Sequence, residues 1–527
     1  MPPSFNRNTD LNPALFWVAL AALLSARLLA MAGLPLMDTS EPRYAEMARV
    51  MAASNDWITP WFAPNVPFWG KPPLSFWMQA LAIKFLGSNE FAVRLPSLLA
   101  TLATLGLLYR LASALYGANV ARIAILLCLS APVMFVDAGA VLTDPFLVLG
   151  VTLSLSAFIL MQDSTRPAWR WWFFIGLAIG LLSKGPLSLI LIGTPVLAGI
   201  LLDSTPKDRL RALFWWPGWL LMLTLTLPWY LAAEIKTPGF LRYFLIGEHV
   251  LRFIEPGWQG DLYGNGHARA KGMIWIYLIA GTLPWSLFLP GAYFFSTLRN
   301  KERFVIRAAG PVNTSCPTAT HSAAALSYTG LSTRAITGLL IGWSCASALL
   351  FTPAGNILPT YIQPAIPGFC LLLTHFVVKP NFIRRVAQTV IALACIYSTA
   401  TLIALQLPEK LKSERDLIAT LPPKMLQNDT LLFLDRLTYS ATFYSQGHAR
   451  RVNDTELAQQ LAHSPATLYL AIPKARRSLV NALEPNSGIR EISRNPRYTL
   501  VEIPADKALR ERLAPVYKDS GRRETLY

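Results

Sequence analysis

Charged side chains are scarce in this sequence. Only 15% of its 527 residues are Asp, Glu, Lys or Arg, whereas 53% are hydrophobic; soluble domains carry about 25% charge. That shortage excludes both an ordinary globular enzyme and a disordered chain. Acidic residues are fewer still, 30 against 47 Lys and Arg, for a net charge of +17. In a soluble protein this excess would suggest nucleic acid. Here the apolar residues fall in blocks of about 20, the length that crosses a hydrocarbon core of roughly 30 Å, and the cytoplasmic loops of membrane proteins collect Lys and Arg. No nucleic-acid partner is expected. Cysteine is sparse too: Cys128, Cys316, Cys345, Cys370 and Cys395 sit singly, without a C-x-x-C pair or a His at ligand spacing. Neither a disulfide framework nor a zinc site is readable. An internal repeat and a Gly-rich phosphate loop are also missing. So is a convincing small-residue cleavage site around the apolar run Pro13 to Pro35, which reads as a first membrane helix rather than a signal peptide.

What is present is the pattern of an all-α polytopic membrane protein. Apolar runs near 14–34, 94–115, 119–138, 142–161, 170–184, 187–202, 213–233, 273–297, 336–354, 360–378 and 387–406 predict about eleven spans, or up to about thirteen with short ones added. With the N-terminus in the cytoplasm, alternation puts the basic segments Asp203 to Ala212, Arg299 to Arg307 and Lys379 to Arg385 inside, as the positive-inside rule requires. The outer face then holds a long first loop, 35–93, a second, 234–272, and everything after 407.

The first loop carries Trp57, Trp61, Phe62, Phe68, Trp69, Phe76 and Trp77 among prolines, the composition of an amphipathic segment lying in the membrane interface. From 407 the composition becomes that of a soluble domain, with strand-like runs Thr430 to Leu434, Ala466 to Ile472 and Tyr498 to Ile503 and a helical pattern Asp454 to His463. Two domains follow: 1–406, transmembrane, and 407–527, a small outer α/β domain. The Ser-, Thr- and Ala-rich segment Gly310 to Thr333 reads as a flexible cytoplasmic loop.

The residues suited to chemistry crowd the outer face. Directly after the first span comes Asp38-Thr39-Ser40-Glu41-Pro42-Arg43-Tyr44-Ala45-Glu46. Asp38 and Glu41 fit a helix cap with Pro42 in the first turn. Beside Arg43 they also fit a site that orients or deprotonates an acceptor and holds an anion. Lys71, fixed between Gly70 and the pair Pro72-Pro73, lacks the freedom that a snorkelling lysine uses, which favours phosphate binding. Asp144 opens an apolar span, where it serves as a cap or as a buried site acid; Asp137 is a weaker candidate of the same kind. No cluster of metal-ligand residues is evident, and no metal is expected.

These motifs in this order resemble the GT-C glycosyltransferases of the protein mannosyltransferase-like superfamily, above all the bacterial 4-amino-4-deoxy-L-arabinose transferases that modify lipid A. The likeness covers about residues 1–406, and the trailing domain fits it. It implies an enzyme of the bacterial inner membrane that moves a sugar from an undecaprenyl phosphate carrier to a periplasmic acceptor such as lipid A, another envelope glycan or a protein. It implies no cofactor, membrane lipids as surroundings and a monomer. By motif, Glu41 and Arg43 match the acidic and basic members of the first-loop element, Lys71 the carrier-phosphate lysine, and Asp144 the acid facing the cavity. Glu248-His249-Val250-Leu251-Arg252-Phe253 resembles the element that brings Arg252 to the phosphate, with His249 as a further candidate. Leu358-Pro359-Thr360-Tyr361-Ile362 resembles the element whose tyrosine, Tyr361, reaches the same group. Lys184 lies in a familiar Lys-Gly-Pro turn. Three departures stand out: Ser40 precedes Glu41 where Asp is usual, so that Asp38 is the nearest aspartate; Gly70 replaces an acid; and a lysine is missing around Asn356.

A lipid phosphate leaving group needs fixed cations around developing negative charge, a task suited to Arg43, Lys71 and Arg252. For a hydroxyl acceptor Asp38 or Glu41 would act as base in an inverting displacement; a phosphate acceptor needs none. The rival reading is a transporter or lipid flippase, which also combines many spans with intramembrane charge. The crowding of charge on one face and the outer domain favour the enzyme.

Overall fold

The computed structural model describes residues 13–163, 165–264, 268–288, 290, 331–376, 380–422, 430–464, 466–478 and 488–506. The chain forms two compact units: Met1–Ala32 with Ser54–Ala400, and Gly33–Ala53 with Thr401–Tyr527. The first loop is therefore not one piece of the membrane domain. Its first twenty or so residues fall in the unit that also contains Thr401–Tyr527.

Among the described residues, five helices are long and apolar enough to cross a membrane: Pro13–Gly33, Glu90–Tyr116, Trp216–Lys236, Thr333–Phe351 and Arg384–Gln406. The chain is a multi-pass membrane protein. Large apolar side chains on the first unit's surface, among them Trp17, Leu201, Trp216 and Ile235, are mostly exposed, as lipid-facing groups are, because hydrocarbon replaces water as their solvent. The run at 119–138 is broken at Ala131, where Pro132 starts the short helix Pro132–Asp137 after Ala118–Ser130; a proline has no N–H to continue the earlier helix. The run at 273–297 begins with the helix Met273–Gly281; the expected basic loop lies outside the described residues, as does the expected flexible one except for its last three residues, where Ser332 caps the helix Thr333–Phe351.

The interior helix Asp144–Leu160 is buried along almost its whole length and packs against its antiparallel neighbour Trp169–Lys184. Small residues allow this. A Cβ on Gly150 would meet the Gly180 backbone N at 2.7 Å, and Ser154 Oγ donates to the Phe173 carbonyl at 3.0 Å. Close backbone approach through small residues is how helices associate where no water drives them together. The hairpin sets Asp144, at the start of one helix, level with Lys184, at the end of the next.

Within the first unit, what remains of the first loop packs on the second loop. A two-stranded ribbon, Trp61–Ala63 with Val66–Pro67, precedes the helix Leu74–Leu86. At 1.5 Å per residue this helix is about 20 Å long, too short to cross the bilayer. Tyr263 OH donates to the Pro67 carbonyl at 2.8 Å and accepts from Trp69 N at 2.9 Å. Trp69 Nε1 donates to Thr237 Oγ1 at 3.0 Å. Asp56 gathers Trp61 Nε1, the Ile58 and Thr59 amides and the Lys236 ammonium. Trp61 and Trp69, two of the aromatics expected to lie in the interface, are thus hydrogen-bonded supports for the segment that carries Lys71.

The second unit contains a five-stranded mixed sheet. Thr430–Leu434 pairs in parallel with Arg450–Val452 and Leu468–Pro473; Tyr498–Ile503 then runs antiparallel to Leu468–Pro473 and to Arg490–Arg494. The three buried strands and the helix Asp454–His463, which a complete capping box begins, lie where the sequence predicts them. The two edge strands were not foreseen. Each is rich in arginine and partly exposed, which protects an open edge from pairing with another chain and hides the strand from an apolar-pattern reading.

Candidate active site

A cavity in the first unit is lined by Lys71, Lys184, Leu187, Phe244, Glu248, His249, Arg252, Phe253, Phe351, Asn356 and Tyr361. Six helical segments and the stretches that carry Lys71 and Asn356 converge on it. Lys184 ends the helix Trp169–Lys184, and Gly185 turns the chain with φ of +70°, a conformation that costs glycine little. A Cβ there would also meet the Phe244 ring at 2.5 Å, so the Lys-Gly-Pro turn lets the second loop come close. Lys184 Nζ lies 2.6 Å from Asp144 Oδ1, with both side chains buried, and 5.0 Å from the centre of the Tyr361 ring. Tyr361, on the 3₁₀ turn Pro359–Ala365, has its ring centre 4.7 Å from that of Phe351, the rings tilted by 36°.

The second loop enters as a π-helix, Tyr243–Leu251, followed by one turn of α-helix, Arg252–Ile254. π-helical turns are rare and concentrate at functional sites. His249 straps this segment to the turn: its ring nitrogens lie 2.7 Å from the Phe244 carbonyl and 3.0 Å from the Lys184 carbonyl. Burial holds its pKa below the ordinary histidine value in spite of those carbonyls. Its contacts make it a positioning group for Lys184.

Glu248 is the centre of charge. Arg252 Nη1 donates to both of its carboxylate oxygens, at 3.0 and 2.9 Å, Tyr243 OH donates at 3.3 Å, and Lys71 Nζ stands 3.4 Å away. Burial by itself would raise the Glu248 pKa, but the charges of Lys71 and Arg252 outweigh it and hold the carboxyl below its usual range. The pKa of Arg252, conversely, rises despite its own burial because Glu248 faces it. Arg252 also reaches Asp261 at 3.5 Å. Asn356 fixes the arginine's backbone: Nδ2 donates to the Arg252 and Glu255 carbonyls at 2.7 and 2.9 Å, and Oδ1 accepts from Gly257 N at 3.2 Å.

Of the residues singled out from sequence, Lys71, Asp144, Lys184, His249, Arg252 and Tyr361 come together in the first unit, at the cavity or, for Asp144, through Lys184. Glu248 and Asn356 were missed as site residues. A Glu four residues before an Arg on a helix is a readable pairing signal; for Asn356 no sequence signal exists. Asp137 accepts a hydrogen bond from Gln363 Nε2.

Asp38, Glu41 and Arg43 belong to the second unit. Asp38 does not cap the helix Ser40–Ser54 that follows it. Its carboxylate accepts from Ser440 N at 2.8 Å and Ser440 Oγ at 2.7 Å, which adds to the cap that Thr438 makes on the helix Tyr439–Tyr444, and pairs with Arg497 at 2.8 Å. Arg497 continues to the buried Glu414 at 2.8 Å. The Arg43 guanidinium lies over the rings of Tyr44 and Tyr439, at 5.1 and 5.7 Å. Asp38 thus ties its segment to the sheet domain.

Comparison with known proteins agrees with this architecture. Residues 70–231 match the dolichyl-phosphate-mannose-protein mannosyltransferase family. The chain is 30% identical over 373 residues to the undecaprenyl phosphate-alpha-4-amino-4-deoxy-L-arabinose arabinosyl transferase of Edwardsiella ictaluri, covering 68% of this chain and 59% of that protein. To the protein of the same name from Yersinia pestis it is 28% identical over 353 residues, 65% of this chain and 55% of the other. The match spans less than two thirds of the length of these curated relatives. The crystal structure of ArnT from Cupriavidus metallidurans bound to undecaprenyl phosphate superposes with a TM-score of 0.71 at 18% identity, over 95% of this chain and 99% of that one. The chain has the GT-C fold expected from its sequence, with a small sheet domain appended.

Proposed function

We propose that this protein is a membrane glycosyltransferase that takes a sugar from a polyprenyl phosphate carrier and passes it to an envelope acceptor on the outer side of the membrane. The observation that carries the reading is the convergence of Lys71, Arg252 and Lys184, with Tyr361, on one cavity. The names of the relatives, arabinosyl transferases that use undecaprenyl phosphate, support the donor class. A cavity at the helix ends, opposite the basic segment around Lys207, Arg209 and Arg211, supports an outward-facing site by the positive-inside rule.

In this reading an acceptor oxygen forms a bond to the anomeric carbon as the bond from that carbon to the carrier phosphate breaks. The electron pair stays on the phosphate oxygen, where Lys71 and Arg252 meet the new charge; in-line attack inverts the anomeric centre. Fixed cations at the point where charge develops need no reorganisation during the step, and a monophosphate leaving group met this way needs no metal. Asp144 holds Lys184 in place. A phosphate acceptor has no proton to lose, and the proton of a hydroxyl acceptor passes to a carboxylate or to water; Asp38 is a structural tie within the second unit. Purified protein in liposomes, given undecaprenyl phosphate-linked aminoarabinose and lipid A, tests the reading. Labelled sugar on lipid A supports it. Donor movement between leaflets without transfer would instead support the flippase alternative.

A further inference from the structure

We infer that Glu248 is a resident counter-ion that drives out the spent carrier, so that the cavity holds the phosphodiester donor better than the phosphomonoester product. The inference rests on the lipid-phosphate reading above and goes beyond it. Arg252 and Lys71 already share a carboxylate: Glu248 is bound through both oxygens to Arg252, receives Tyr243, and lies 3.4 Å from Lys71, with only 5% of its side chain exposed. Arg252 has Asp261 at its other edge, and Lys184 has Asp144. Three cations therefore face three carboxylates, and the site is close to neutral before any ligand arrives.

A polyprenyl phosphate sugar brings one negative charge. When the bond to the anomeric carbon breaks, its electron pair stays on phosphorus-bound oxygen, and the monoester acquires a second ionisation with a pKa of about 6. That extra charge appears beside a buried anion. Like charges a few ångströms apart at a poorly hydrated site repel strongly, so the charge that Lys71 and Arg252 stabilise during the step meets Glu248 as the product settles. The titratable groups around Glu248 are Lys71, Tyr243, His249, Arg252 and Tyr263, with Asp261 on the far side of Arg252. Burial holds the pKa of His249 below the ordinary histidine value.

The test is binding of undecaprenyl phosphate to the full chain in detergent, together with turnover. Glu248→Gln is expected to bind undecaprenyl phosphate about tenfold tighter or more, with a lower kcat and a lower KM. Glu248→Asp, which keeps the charge, is expected to retain wild-type affinity. In the wild-type protein, affinity for undecaprenyl phosphate is expected to fall as pH rises through about 6, where the monoester gains its second charge, while affinity for a non-cleavable phosphodiester analogue stays flat. Weaker or unchanged binding by Glu248→Gln overturns the proposal and makes Glu248 a positioning residue. Should that variant fail to fold, wild-type affinity that stays level or rises over the same pH range overturns it as well. A wild-type protein that binds neither lipid phosphate nor the diester would defeat the functional reading itself.

Discussion

Lys184 Nζ lies 2.6 Å from Asp144 Oδ1 and 5.0 Å from the centre of the Tyr361 ring. One ammonium thus completes a buried ion pair inside the helix bundle and lines the cavity. A group with both roles couples stability to activity. Removing one member of a buried pair costs about 3–5 kcal/mol, whereas removing both together is often close to neutral. Lys184→Met and Asp144→Leu should each lower the melting temperature in detergent sharply. The double variant should recover most of that loss and still fail to transfer sugar. A double variant as unstable as the singles would show that the pair does not act as a unit.

Lys71→Ala and Arg252→Ala should each lower kcat for transfer by tenfold or more while the protein stays folded, since losing one preorganised charge contact typically raises a barrier by about 2.7–4 kcal/mol. Arg252→Lys should not rescue the loss, because a single ammonium cannot hold Glu248 on one nitrogen and face Asp261 with another. Near-normal transfer in both alanine variants would remove these residues from the site.

Asp38→Asn separates two roles in the second unit. Asparagine keeps an acceptor for Ser440 but loses the ion pair with Arg497, a charge-assisted bond worth about 1.5–3 kcal/mol. The expected result is a lower melting temperature with transfer per folded molecule close to wild type. Abolished transfer with unchanged melting would return Asp38 to the catalytic role that its place in the motif suggests.

Acid should weaken the first unit in a way that Glu248 accounts for. Its folded pKa is depressed below the ordinary 4.5, so its contribution is fully present above that value and is lost as pH falls through the folded value. Compared by thermal melting, wild type and Glu248→Gln should differ most near neutral pH and converge on acidification below 4.5. A difference that grows on acidification would reverse the sign and contradict the environment described for this carboxylate.

Removing divalent metal should leave transfer unchanged, because Lys71 and Arg252 meet the leaving phosphate's charge. Transfer measured with and without EDTA checks this. A loss restored by one added cation would require a metal beside the phosphate.

Length and polarity patterns were enough to read the membrane class, the position of most helices and the three buried strands of the sheet domain; Lys71 and Asp144 stand out by their place beside prolines and at a helix start, whereas Lys184, His249, Arg252 and Tyr361 are singled out only by the resemblance of their motifs to a known family. Apolar blocks and turn residues report on local solvent and backbone geometry, and both are encoded within a few neighbouring positions. Partnerships are not encoded that way. Asp38 reads as the cap of its own helix, yet it adds to the cap of one that begins some four hundred residues later and pairs with Arg497. Glu248 reads as a neighbour of a phosphate-binding arginine, yet it also faces Lys71 from 177 residues away. Asn356 reads as a substitution, yet its amide holds the backbone of Arg252. A carboxylate or an amide takes whichever donor the packed chain brings within about 3 Å, and only the tertiary structure decides which donor that is.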